Sequence, residues 1–92
     1  MTARFSVRST PHYERLARSL LKRHPEFRGR QERAVSVLAA DPYNQTGTHN
    51  IKKLVATAVG EGQWRLSLGR FRFRYDVVGV EVVLHTPSRP TS

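Results

Sequence analysis

In the stretch GQWRLSLGRFRFRYDVVGVEVVLH, residues 62–85, Arg65, Arg72 and Arg74 alternate with apolar residues. Alternation of period two marks a half-buried strand. The three guanidinium groups therefore fall on one side of two neighbouring strands, about 5–7 Å apart. Like charges that close repel unless an anion sits between them, and a planar guanidinium fork suits phosphate oxygens. Lys52, Lys53 and Arg70 extend the patch, while Asp76 and Glu81 are too few to neutralise it. His85 lies on the same side at the end of the last strand, a candidate base or acid near neutral pH.

Other chemistries find no support in the residue pattern. His12, His24 and His49 are scattered without metal-ligand spacing, and Cys is absent, so no metal and no cofactor is expected. GEG at residues 60–62 lacks the Lys and the helix that a phosphate-cradling loop requires. No nucleophile elbow supports Ser/His/Asp catalysis. Trp64, Phe71, Phe73 and Tyr75 alternate opposite the arginines and read as core, with Trp64 the one best placed to depart from that rule at a sheet edge.

The chain has 92 residues, enough for a single core and too few for a second domain. Sixteen Lys and Arg against seven Asp and Glu give a formal charge of +9, which implies a polyanionic partner. The basic residues run through both halves of the chain, so the folded surface itself must be basic. The absence of Cys suits a reducing compartment, MTARFSVRST lacks the apolar run of a signal peptide, and no membrane span is present; a cytoplasmic protein is expected.

Several elements must position these side chains. Residues 4–8 alternate Phe5 and Val7 with polar neighbours, a short first strand that could be an edge. Thr10 can cap a helix that Pro11 opens, with Tyr13, Leu16, Ala17, Leu20 and Leu21 as its apolar stripe. His24-Pro25 breaks it, and a second helix carries Phe27, Gln31, Ala34, Val35 and Leu38 to about Ala40, where Asp41-Pro42 stops it. Residues 43–50 read as a loop, 51–54 as a short strand and 55–62 as a variable connection. Strands follow at 63–68, 71–77 and 80–85, the last with Val80, Val82 and Leu84 on its apolar side. The expected fold is α+β: an N-terminal strand, a two-helix hairpin, then an antiparallel three- to four-stranded sheet whose apolar face the helices cover. Residues 1–86 form one domain and residues 87–92 a loose tail.

IKKL, followed by WRLSLGRFRFRYDV and a final apolar strand, resembles the RelE/ParE superfamily of bacterial toxins. The helix hairpin opening with STPHYERLARSLLKRHPEF and the order of elements are also similar to that family. The resemblance covers most of the chain and implies the toxin half of a type II toxin–antitoxin pair, restrained by an acidic antitoxin protein. RelE-like members cut mRNA in the ribosomal A site without a metal and so inhibit translation, whereas ParE-like members poison DNA gyrase without catalysis. WRLSLGRFRFRY looks more like the RelE branch, for which high basic charge would suit docking onto mRNA and ribosomal RNA.

On that resemblance Arg72 occupies the arginine of the glycine-x-aromatic-arginine motif that stabilises the scissile phosphate, and Arg65 falls where a Lys or Arg often precedes it. Ser67 stands where RelE has a second basic residue. Arg89 is the nearest match to a C-terminal arginine, without the tyrosine that often follows. Other branches use His or Glu for proton transfer, a role open here to His85. Lys52, Lys53, Arg70, Arg74 and Arg89 would then contact RNA.

Overall fold

Thr10 has extended backbone and accepts the Tyr13 N–H on its hydroxyl at 3.0 Å, so the first helix, α1 (Pro11–Arg23), begins where its capping chemistry indicates. His24 closes it, and α2 (Phe27–Ala40) ends at Asp41, whose N–H reaches the Val37 carbonyl at 2.8 Å. The computed structural model describes residues 4–55, 57–58 and 60–90. The strands are β1 (Ser6–Ser9), β2 (Ile51–Lys53), β3 (Trp64–Leu68), β4 (Phe71–Val78) and β5 (Glu81–Ser88).

All five strands form one sheet in the order β1-β5-β4-β3-β2. Strands β2 to β5 pair antiparallel, but β1 pairs parallel with β5, with Val7 opposite Val82 and Ser9 opposite Leu84. The sheet is therefore five-stranded and mixed, where a purely antiparallel one of three or four strands was expected. The alternation in residues 4–8 specifies which side is buried and says nothing of neighbour or direction. Burial of Val7 beside Val82 and Leu84 decides both.

Both helices pack on the face that carries Leu66, Phe71, Phe73, Tyr75, Val82 and Leu84, burying Tyr13, Ala17, Phe27, Ala34 and Leu38 against them. Phe27 lies edge-on to Phe71 at 5.2 Å and stacked on Phe73 at 5.8 Å. Two hydroxyls tie the layers: Tyr13 donates to Gln31 across the helices at 2.7 Å, and Tyr75 donates to the Pro42 carbonyl at 2.6 Å. Among the described residues no helix is long and apolar enough to cross a membrane.

Three expectations about faces are corrected. Val35 is 39% exposed and Val37 is buried in its place, because α2 meets the sheet on a slightly rotated stripe. Val80 sits in the β4–β5 turn at 71% exposure instead of on the apolar side of the last strand. Finally β5, expected to end at His85, continues through Thr86 and Pro87 to Ser88, with Pro87 buried opposite Phe73, so Pro87 and Ser88 of the expected tail lie in the sheet. Thr91 and Ser92 of that tail lie outside the described residues.

Candidate active site

The side of the sheet away from the helices is organised by strand register. Lys52 pairs with Arg65, Arg65 with Arg74 and Arg74 with Thr86, so four strands contribute to one transverse row. A second row, nearer the β3–β4 turn, holds Ser67, Arg72 and Ser88. Neighbours in a row stand about 4.8 Å apart at the backbone and successive rows about 7 Å. Thus the fold sets Arg65, Arg74 and Lys52 side by side on one surface and Arg72 one row away.

At the end of the first row, a bulge reshapes β5. Tyr75 pairs with Leu84 but Arg74 with Thr86, leaving His85 as an extra residue in the ladder. This places His85 Nε2 2.8 Å from Asp76 Oδ2. Asp76 is 3% exposed, while the imidazole remains partly open to solvent. The carboxylate is held from its other side by the loop before β3: Oδ2 also accepts from Gly60 N at 2.8 Å and Gly62 N at 3.2 Å, and Oδ1 accepts from Gln63 N at 2.8 Å. Burial pushes the Asp76 carboxyl up, but these backbone N–H groups and His85 outweigh it and hold the carboxyl below the usual carboxylate range. Asp76 is thus a fixed anion whose lone pairs are already committed, three to the backbone and one to an imidazole.

A carboxylate only accepts hydrogen bonds. A neutral His85 therefore carries its proton on Nε2 and keeps a lone pair on Nδ1. The nearest charge to His85 is consequently an anion, where the sequence suggested surrounding cations.

Arg74 works on the same loop. Its Nε and Nη2 reach the Gly62 carbonyl at 3.2 and 3.0 Å, so Asp76 grips the loop by its N–H groups and Arg74 by its C=O. Gly62 has φ +84, and a Cβ there would stand 2.9 Å from the Arg74 Cβ and 3.3 Å from Tyr75 N. Only glycine permits the approach.

Arg72 turns its Nη1 to the carbonyls of Gly69 at 3.1 Å and Phe71 at 3.2 Å, bracing the β3–β4 turn. Arg65 is partly buried, its Nε enclosed and without an acceptor. Glu81, one of the two carboxylates expected near the patch, pairs with Arg8 at 2.7 Å instead.

The remaining predicted contacts separate from the row. Lys53 follows Lys52 on the opposite side of β2 and places its ammonium 5.6 Å over the Trp64 ring. Trp64 is partly buried against the core, edge-on to Tyr43 at 5.4 Å and stacked towards Tyr75 at 6.5 Å, on the side of the sheet opposite the arginine row. Arg70 sits in the β3–β4 turn beside Glu26, Arg30 and Phe71, at the start of α2. Arg89 follows β5 with its Nε buried and unpartnered. Lys53 and Arg70 therefore do not extend the arginine row.

Asp76 is the residue that sequence reasoning undervalued, counting it only as a counter-charge. Its signal is an acid in an otherwise arginine-bearing strand, facing a Gly-x-Gly whose N–H groups need an acceptor. Among the described residues no three His, Asp or Glu side chains converge as a metal ion requires. Burial pushes the phenols of Tyr13 and Tyr75 up, away from proton exchange near neutrality. The chain matches no protein-family model, no curated protein and no solved structure. The site must be understood from its own residues.

Proposed function

We propose that this chain is a toxin resembling the RelE type, an endoribonuclease that cleaves mRNA by metal-independent chemistry and so stops translation in the cytoplasm. One observation carries the reading: an imidazole tethered to a buried carboxylate, 2.8 Å away, at the end of a row of cross-strand guanidinium groups. Phosphodiester cleavage in RNA needs a base for the 2′-OH, positive charge for the phosphorane and an acid for the departing 5′-oxygen.

The scissile phosphate lies between Arg65 and Arg74. His85 Nδ1 removes the 2′-OH proton, the 2′-oxygen attacks phosphorus, and the bond from phosphorus to the 5′-oxygen breaks. Asp76 stabilises the imidazolium that forms. At the far end of the row, Lys52 gives its proton to the leaving oxygen, opposite the attacking group as in-line displacement requires. The products are a 2′,3′-cyclic phosphate and a 5′-hydroxyl. Arg72, about 7 Å along β4, takes the neighbouring phosphate, a role different from the one its motif position implies. A placed base contributes about 10²–10⁴ in rate, and each fixed charge on the phosphorane about 3–4 kcal/mol.

Such activity would harm its host, so the expected partner is a cognate acidic antitoxin that covers the basic surface. The test is cleavage of mRNA with and without ribosomes by the wild-type chain and by His85→Ala. Ribosome-dependent cutting that disappears in the variant supports the proposal. Intact mRNA with inhibited supercoiling by DNA gyrase supports the ParE-like alternative, which has no use for a tethered imidazole.

A further inference from the structure

The arginine row accounts for only part of the positive charge. Arg15, Arg18, Lys22 and Arg23 on α1, with Arg28 and Arg33 on α2, are all exposed. Among the described residues the ion pairs use other groups: Arg8 with Glu81, His24 with Glu26, His49 with Asp41 and His85 with Asp76. The helices' own exposed acids are Glu14, Glu26 and Glu32, and Glu14 already accepts from the Ser9 hydroxyl. The helices cover the core face of the sheet, and α1 buries Tyr13 and Ala17 there. Arg15, Arg18 and Lys22 therefore project from the opposite side of α1, away from Arg65 and Arg74, with Arg23, Arg28 and Arg33 on the flanks.

We infer that the outer surface of the helix pair is a second, sequence-independent binding face for the phosphate backbone of a folded RNA. The choice of RNA as the polyanion rests on the function proposed above. The choice of a polyphosphate over an acidic protein rests on the surface itself. A protein interface is anchored by apolar and aromatic side chains at its centre, and among the described residues Val35 is the single large hydrophobic exposed on either helix, at 39%. Phosphate contacts need only cations. The smallest extent of the molecule is 26 Å. A strand of a few nucleotides in the arginine row therefore cannot reach the helices, and an RNA that engages both faces must present two segments. The helix face supplies affinity and orientation, while the sheet face does chemistry on a second segment.

The triple variant Arg15→Glu/Arg18→Glu/Lys22→Glu tests this, with Arg15→Ala/Arg18→Ala/Lys22→Ala as a version that keeps helix propensity high. Binding to the full chain is followed by fluorescence anisotropy over a series of KCl concentrations, with circular dichroism melting on the same samples. One probe is a single-stranded RNA of about four nucleotides, roughly 14 Å when stacked, and the other an RNA hairpin of about 20 base pairs. Hairpin affinity is expected to fall about tenfold or more and its salt slope to become shallower by about two to three, while the short strand binds within about twofold of wild type. Wild-type hairpin affinity and slope in both triple variants would overturn the inference. So would equal losses for both probes, which would mean the two faces are one. Unchanged RNA binding with loss of binding to polyglutamate would assign the face to an acidic protein and also overturn it. The readout is affinity, so it stands or falls separately from cleavage.

Discussion

His85 and Asp76 meet at 2.8 Å because a bulge in β5 adds one residue opposite Arg74 and Tyr75, delivering the imidazole to a carboxylate that the loop at residues 60–63 has already fixed. The pair joins the sheet to the loop, so it bears on both chemistry and stability. The predictions separate the two.

His85→Ala removes the proposed base and leaves Asp76 with its three backbone donors. RNA cleavage in single turnover is expected to fall about 10²–10⁴-fold, with little change in the thermal midpoint. An unchanged rate would remove His85 from the mechanism.

Asp76→Asn keeps the shape but replaces an anion that accepts four hydrogen bonds by an amide whose NH2 faces donors. A stability loss of about 2–3 kcal/mol is expected in urea unfolding, together with slower cleavage from a mispositioned imidazole. Retained stability would show that the loop is held by other contacts.

The carboxyls of Asp76 and Asp41 are both held below their ordinary range: burial raises each, and hydrogen bonds outweigh it, from the loop N–H groups at Asp76 and from Thr46 and Gln45 at Asp41. A depressed folded pKa means the unfolded chain binds more protons in acid. The stability these groups contribute is present above the unfolded value, about 3.9, and is lost as pH falls through the folded ones. Thermal midpoints should therefore decline below about pH 4, and Asp76→Asn should flatten part of that decline.

Arg65→Ala is expected to slow cleavage about 10²–10³-fold. Lys53→Ala, on the other side of the sheet, should leave the rate within about twofold and cost only the contribution of a cation over an indole, about 0.5–1 kcal/mol. Equal losses in the two variants would argue against a catalytic row.

Gly62→Ala forces a Cβ into a positive-φ position 2.9 Å from the Arg74 Cβ. It is expected to lower stability by about 1–3 kcal/mol and to lower activity with it, since the loop that fixes Asp76 must move. A melting curve superposable on wild type would contradict the tight approach described here.

Much was legible in the residues themselves, where the physics is local. A hydroxyl at Thr10 and a ring at Pro11 can start a helix whatever lies beyond them. Alternation in residues 64–77 commits Leu66, Phe73 and Tyr75 to one side and Arg65, Arg72 and Arg74 to the other, since successive strand side chains must oppose. The formal charge of +9 is likewise fixed by composition alone. Register, neighbour and partner are long-range matters, and these only the tertiary structure decided. It ran β1 parallel to β5, split Lys52 from Lys53, moved Arg72 out of the row and carried β5 on to Ser88. It also turned Asp76 from a stray counter-charge into the group that orients His85. No periodicity encodes that contact, because it joins residues on two strands and a loop through one inserted residue, and bulges arise from packing that the alternation of a single strand does not contain.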